Sequence, residues 1–317
     1  MMHMRLASPA LLLAVALATC HAGAAPFAYV PNEKSATLSV IDTDSGALVR
    51  EIAAGKRPRG IAADPAGRVL WVTDAGAGAL LALDAASGAT LASVAVGKSP
   101  EGVSASADGR WLAVAVEESN SVVLVEAATR RVLAEIPVQG RNPEHAVFSP
   151  DGKWLLVSAE DAEQVDLIDV AARRQSGSVA VGLRPRGIAF SPDGARAYVA
   201  CELANTVVVI DMATRRALAT IPAGRNTAGI AVHPSGRQVY ASNGIDGTVT
   251  VIDAATNTVT TTIAVGKRPW NMALTPDGAR LYVANGRSGS VSVIDTASNT
   301  RLNDIPVGAL PWGVLIR

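Results

Sequence analysis

The chain has 317 residues, with 28 Lys and Arg balanced by 28 Asp and Glu, and 49% of it is hydrophobic. That length holds one large domain or two small ones, and the lack of a basic excess argues against a general polyanion or nucleic-acid binder. Aromatic residues make up only 4%, so Val, Ile, Leu and Ala have to build the core.

Residues 1–24 read as an export signal: "MMHMR" is the charged start, "ALLLAVALA" (10–18) the apolar run, and "AGAA" (22–25) the small-residue site, with cleavage after Ala24. The apolar run is too short to span a bilayer as a helix. The rival reading is a lipoprotein signal that lipidates Cys20, into which Thr19 fits poorly. No later stretch has the length of a membrane span. Cleavage leaves Cys201 as the one thiol, so this exported domain stands on packing without an internal disulfide.

Residues 25–317 repeat. Gly55, Gly97, Gly140, Gly182, Gly224, Gly266 and Gly308 recur at steps of 42, 43, 42, 42, 42 and 42. Asp42, Asp84, Glu126, Asp169, Asp211, Asp253 and Asp295 close strands such as "SVID" and "LALD" on the same ruler. A constant period of this size marks a repeat architecture. The unit at 267–308 predicts four strands, in "PWNMALT", "RLYVAN", "SVSVID" and "RLNDIPVG", joined by "PDGA", "GRSG" and "TASNT" turns. "SVSVID" alternates polar and apolar, the pattern of a strand with one buried face. Four antiparallel strands per unit, repeated radially, predict an all-β, seven-bladed β-propeller. The N-terminal residues 27–52 supply three strands and "LPWGVLI" (310–316) the missing first one, so the two ends close the ring.

"YVPN" (29–32), "WVTD" (71–74), "YVAC" (198–201), "YASN" (240–243) and "YVAN" (282–285), with "SPDG" and "VID", resemble the YVTN family of seven-bladed propellers over residues 27–317. Blades three and four depart from it with "AVAV" and "LVSA". The ends of the chain look most like exported propellers associated with pyrroloquinoline-quinone-dependent alcohol catabolism. That resemblance implies a periplasmic accessory role and makes pyrroloquinoline quinone a possible ligand. The Trp-docking pattern of the quinoprotein dehydrogenases themselves is missing.

Tyr29, Tyr198, Tyr240 and Tyr282 share one repeat position with Trp71, and Trp111 and Trp154 share another; residues placed by the repeat are packing residues. The slots that vary point to chemistry. After the loop proline the blades read Arg59, Glu101, Glu144, Arg186, Ala228, Trp270 and Trp312, then Gly60, Gly102, His145, Gly187, Gly229, Asn271 and Gly313. With the preceding loop residues, among them Arg57, Arg184 and Arg268, the expected channel mouth gathers ten bases and two acids. Acids in the facing turns, including Glu33, Asp74, Glu160 and Glu202, offer a second reading in which the charges simply pair.

Two functions follow. The favoured one is a monomeric, non-enzymatic binding module for a small anionic, aromatic molecule or a periplasmic protein partner, with no nucleic acid. Trp270 and Trp312 would stack a planar group, Arg57, Arg59, Arg184, Arg186 and Arg268 would hold carboxylates, and Glu101, Glu144, His145 and Asn271 would complete the mouth. The alternative is a metal-assisted lactonase or lyase using Glu101, Glu144 and His145. His233, in an "HPSG" turn, is expected to be solvated, and no zinc or haem motif is present.

Overall fold

The computed structural model describes residues 26–317. The expected signal segment and Cys20 lie outside the described residues. Every sheet has four antiparallel strands, and there are seven sheets. The chain is a seven-bladed β-propeller. Blade two is representative: Pro58–Ala63, Val69–Asp74, Ala79–Asp84 and Thr90–Ala95 follow one another from the axis outward. Blade one takes its first strand from Leu315–Ile316, which pairs with Phe27–Asn32 through Ala28↔Ile316 and Tyr29↔Leu315. This closing strand is shorter than expected. Pro311 makes only an isolated bridge to Asn32, and Trp312 lies between the two pairings.

Burial explains why the repeat needs its residues. Second and third strands are buried on both faces, because each sheet lies against the next. The expectation of one wet face for "SVSVID" is therefore corrected: Ser290 and Ser292 are buried, and both accept hydrogen bonds from Asn285 Nδ2. Fourth strands are largely exposed, and six of the seven bury one side chain, such as Ile136, Ile221 and Ile305. Each such residue adds about 1.5–3 kcal/mol of apolar burial at the seam between blades. Tyr198, Tyr240 and Tyr282 are fully buried, as the repeat predicts.

In four blades the last residue of the second strand is a loop clamp. Asn243 Oδ1 accepts from the Gly224 N–H, and Asn285 Oδ1 from the Gly266 N–H. Asp74 accepts from the Lys56 and Arg57 N–H groups, so this residue, expected among the mouth acids, holds backbone instead. Cys201 fills the same position, with its Sγ 3.3 Å from the Gly182 nitrogen, and burial pushes its thiol up to about 11. Blade four ends this strand in Ala159, and there Asp166, from the neighbouring strand, takes the Gly140 N–H. The aspartates that close third strands accept turn N–H bonds, as in Asp42 to Ser45 and Asp295 to Ser298.

Candidate functional site at the channel mouth

A bulge at the start of the first strand aims the variable slots. In blade two the pairing runs Pro58↔Asp74 and then Ile61↔Val72, so Arg59 and Gly60 together oppose Thr73. Thr73 Oγ1 accepts from the Gly60 N–H and donates to the Glu101 carbonyl of the next blade. Ser242 makes the same bridge between the Gly229 N–H and the Trp270 carbonyl. Glu144 and His145 occupy the blade-four bulge, with the His145 N–H on Ser158 Oγ. Glycine prevails in the second slot because first strands nearly touch around the axis. A Cβ on Gly60 would lie 2.5 Å from the Glu101 carbonyl oxygen. His145 and Asn271 are the exceptions, and Asn271 Nδ2 reaches the Trp312 carbonyl at 3.4 Å.

The first slots pair with their own counterparts one blade on. Arg59 Nη1 bonds Glu101, and Arg186 Nη2 bonds Glu144 at 2.5 Å. Arg186 Nη1 also lies 2.7 Å from Glu160 and 3.1 Å from Glu202. Arg184 pairs with Glu160 and Glu202, Arg268 with Glu202, and Arg57 and Arg59 with Glu33. Arg184 and Arg268 do so from left-handed backbone, with φ of 56° and 55°, a conformation that costs a non-glycine residue. Five guanidiniums thus meet five carboxylates. The unpaired positive mouth of the charge count is corrected to one whose inner arginines are paired, because the turns between second and third strands bring in Glu33, Glu160 and Glu202. Glu160 begins a one-turn helix, Glu160–Ala162, the only helix among the described residues.

Proton states follow from burial and pairing. Burial weighs against charge on Arg186, but Glu144, Glu160 and Glu202 outweigh it and hold its pKa above the usual arginine value. Burial also opposes the charge on Glu144 and Glu202, yet Arg186 in both cases keeps them below the ordinary carboxylate value. Glu101 goes the other way. Burial, helped by the Glu144 charge and resisted by Arg59, pushes it up to about 8. Burial likewise raises Glu160 to about 7. His145 is pulled down to about 4 by burial, against the attraction of Glu144, so it is neutral at pH 7.

The aromatic residues do not form the expected slot. Trp312 stacks on His145, with centroids 5.3 Å apart and planes at 21°. Blade one and blade four face each other across the ring, so this pair spans the channel. Trp270 lies beneath the Arg268 guanidinium, 5.8 Å from its ring centroid, and over Gly286. The one ring that Trp312 meets among the described residues is that of His145, and a planar guest between Trp270 and Trp312 is not what this geometry offers. Several buried polar atoms around the mouth lack a partner: Arg59 Nε, Glu101 Oε2, His145 Nδ1 and Trp270 Nε1. Sequence reasoning could not find these, since they depend on which atoms the ion pairs leave over.

Two expectations are revised by this geometry. Among the described residues, no group of three or more His, Cys, Asp or Glu side chains is arranged to hold a metal ion. Glu101 and Glu144 turn to Arg59 and Arg186 instead. The site also fits a tricarboxylate such as pyrroloquinoline quinone poorly. Its arginines already have carboxylate partners, and His145 covers a face of Trp312. Wider clefts lie away from the axis. One of about 700 Å³ runs between blades five and six on the opposite face, lined by Pro192, Arg196 and Tyr198 among others; it lacks the buried charges of the mouth. No helix among the described residues is long and apolar enough to cross a membrane.

Comparison with known proteins supports the architecture. The family described as "Lactonase, 7-bladed beta-propeller" matches residues 171–305. That stretch includes Arg184, Arg186, Glu202, Arg268 and Trp270 but not Glu101, Glu144, His145 or Trp312. Among solved structures, a putative 6-phosphogluconolactonase from Bacteroides uniformis is 20% identical, with TM-score 0.78, covering 92% of this chain and 99% of that one. A functionally unknown protein from Desulfotomaculum acetoxidans is 17% identical, with TM-score 0.81 and coverage of 92% and 98%. Hydrazine synthase of Kuenenia stuttgartiensis is 22% identical, with TM-score 0.74 and coverage of 81% and 88%. At these identities the likeness is one of fold. No curated protein matches the chain.

Proposed function

We propose that the protein is an exported propeller whose channel mouth binds a small polar organic molecule bearing a carbonyl group, neutral or singly charged. The observation that carries this reading is the set of unpartnered buried atoms on mouth residues, Arg59 Nε, Glu101 Oε2, His145 Nδ1 and Trp270 Nε1. Buried polar atoms are normally satisfied, and each one left over costs about 1–3 kcal/mol. Carbonyl and hydroxyl groups would satisfy them without upsetting the network of nine ion pairs. A multiply charged anion would have to compete with Glu33, Glu101, Glu144, Glu160 and Glu202 for the same guanidiniums. Export and an accessory place in quinoprotein-dependent alcohol oxidation rest on the signal-like N-terminus and on the YVTN-type motifs of the chain ends.

The test is calorimetric titration of the mature protein with sugar lactones, aromatic monocarboxylates and pyrroloquinoline quinone. The reading expects a neutral or monoanionic compound to bind, and Glu101→Gln and His145→Ala to weaken it by about tenfold each, roughly one hydrogen bond. No binding by any of them, or tightest binding by the quinone, overturns the reading.

A second reading, lactone hydrolysis, is favoured by the lactonase family match to residues 171–305. Water would add across the ring ester to give a hydroxycarboxylate and a proton, with Glu144 taking a proton from water and Glu101 donating one to the leaving oxygen. A pH-stat assay decides this: turnover that Glu144→Gln abolishes supports hydrolysis, and binding without turnover leaves the first reading.

A further inference from the structure

On the face opposite the mouth, three consecutive blades begin their outer strands with paired arginines: Arg130-Arg131, Arg173-Arg174 and Arg215-Arg216. The same two positions are Gly46-Ala47 and Gly88-Ala89 in blades one and two, and Asn257-Thr258 and Asn299-Thr300 in blades six and seven. The first position has left-handed backbone throughout, with φ of 59°, 52° and 55° at the three arginines. Glycine and asparagine enter that region readily, whereas for other residues it is unfavourable.

Each first arginine is used as a strap to the preceding blade. Arg130 Nη1 donates to the Leu91 carbonyl, the Arg173 guanidinium lies 5.9 Å from the Trp111 ring centroid, and that of Arg215 lies 5.0 Å from Trp154. Arg110 covers Trp111 as well, at 5.2 Å. Inter-blade packing thus accounts for the first arginine and for the two tryptophans. It does not account for the second. Arg131, Arg174 and Arg216 are exposed, and among the described residues none of them forms an ion pair or a side-chain hydrogen bond.

We propose that this edge, running over blades three to five, docks an acidic segment of a partner protein. Three guanidiniums at equivalent points of adjacent blades form an evenly repeated row, and each offers two parallel donors to a carboxylate. Every blade of this face carries a turn acid, Glu126, Asp169 and Asp211 in blades three to five and Asp42, Asp84, Asp253 and Asp295 in the others, but only in blades three to five do two arginines follow it. A flat anionic bilayer or a long nucleic acid laid across the face would meet those aspartates too. A short acidic segment confined to three blades meets only turn acids that two arginines outnumber. The proposal is independent of the mouth, which faces the other way.

Fluorescence anisotropy with a labelled decaglutamate peptide tests it, using mature protein and the triple variant Arg131→Gln, Arg174→Gln, Arg216→Gln. These side chains are exposed and make no ion pair or side-chain hydrogen bond among the described residues, so the variant should melt at the wild-type temperature. Wild type is expected to bind the peptide in a salt-sensitive way, and the variant about tenfold or more weakly, which is the loss of about 1.4 kcal/mol or more. Failure of wild type to bind the peptide, or equal binding by the variant, overturns the proposal. So does tighter binding of phosphatidylglycerol vesicles or a single-stranded oligonucleotide that the triple variant also loses, since the row would then serve phosphate.

Discussion

His145 and Trp312 stack 5.3 Å apart across the central channel, although 167 positions separate them in sequence. His145 comes from the blade-four bulge and Trp312 from the segment that closes blade one. The contact therefore exists only when the ring is shut. An aromatic pair of this kind contributes about 0.5–1.5 kcal/mol beyond its buried area. His145→Ala should lower stability by about that amount in urea denaturation, and Trp312→Ala by about 3–5 kcal/mol, because it also leaves a cavity. Equal small losses would mean that the stack does not help to close the ring.

The arginines of the mouth should be very unequal. Arg186 is the counter-ion of Glu144, Glu160 and Glu202, all buried. Arg186→Ala leaves three carboxylates without it and should cost about 3–5 kcal/mol. Arg57, half exposed against Glu33, should cost about 0–1 kcal/mol. Chemical denaturation of the two variants separates them. For this reason the binding tests rely on His145 and Glu101, and not on Arg186.

Stability should fall as pH rises from about 5 to about 8. Native Glu101 and Glu160 keep their protons up to about 8 and about 7, whereas the ordinary value for such a carboxyl is 4.5. In that window the native state holds two protons that the unfolded chain has released. His145, near 4 against an ordinary 6.5, holds one fewer over the lower part of it. Two against one leaves the native state with the excess, so raising the pH favours unfolding. Melting temperatures across this range should decline in wild type and decline less in Glu101→Gln. A melting temperature that rises steadily to pH 8 would contradict the assignment.

The clamp position gives a comparison within one fold. Asn285 satisfies the Gly266 N–H and both Ser290 and Ser292, so Asn285→Ala should cost about 1–3 kcal/mol through unpaired buried groups. Cys201 gives the Gly182 N–H only a weak sulfur acceptor, and Cys201→Ala should cost less. Its thiol, raised to about 11 and fully buried, should resist a thiol reagent until the mature protein is unfolded.

The architecture was legible because most blades repeat the same demands: the tyrosine that fills the seam, the aspartate that folds the turn, the glycine that lets first strands meet. Seven blades and their closure by the chain ends could be read from spacing alone. The mouth was legible as a set of positions, since Arg59, Glu101, Glu144, His145, Arg186 and Trp312 stand where the repeat ought to hold something else. The pairing of its charges was one of two readings, with Glu33, Glu160 and Glu202 of the facing turns as the partners; which carboxylate meets which guanidinium, and that Glu202 would serve three arginines, was not legible. Nor could sequence tell that Asp74 spends its carboxylate on backbone, or that Trp312 would face His145 across the ring while Trp270 turned to Arg268. The paired arginines of blades three to five were visible throughout, but without the strand order there was no face to put them on.

His145 and His233 are the two histidines among the described residues, one at the mouth and one in an exposed turn on the opposite face, hydrogen-bonded to Ser235. The most direct test of the mouth is nitrogen NMR of the histidine-labelled mature protein during titration with the sugar lactone or aromatic monocarboxylate that binds most tightly. Movement of the His145 ring signals with His233 unchanged is the predicted result. Saturable binding that moves His233 alone, or neither histidine, would contradict a ligand site at the channel mouth.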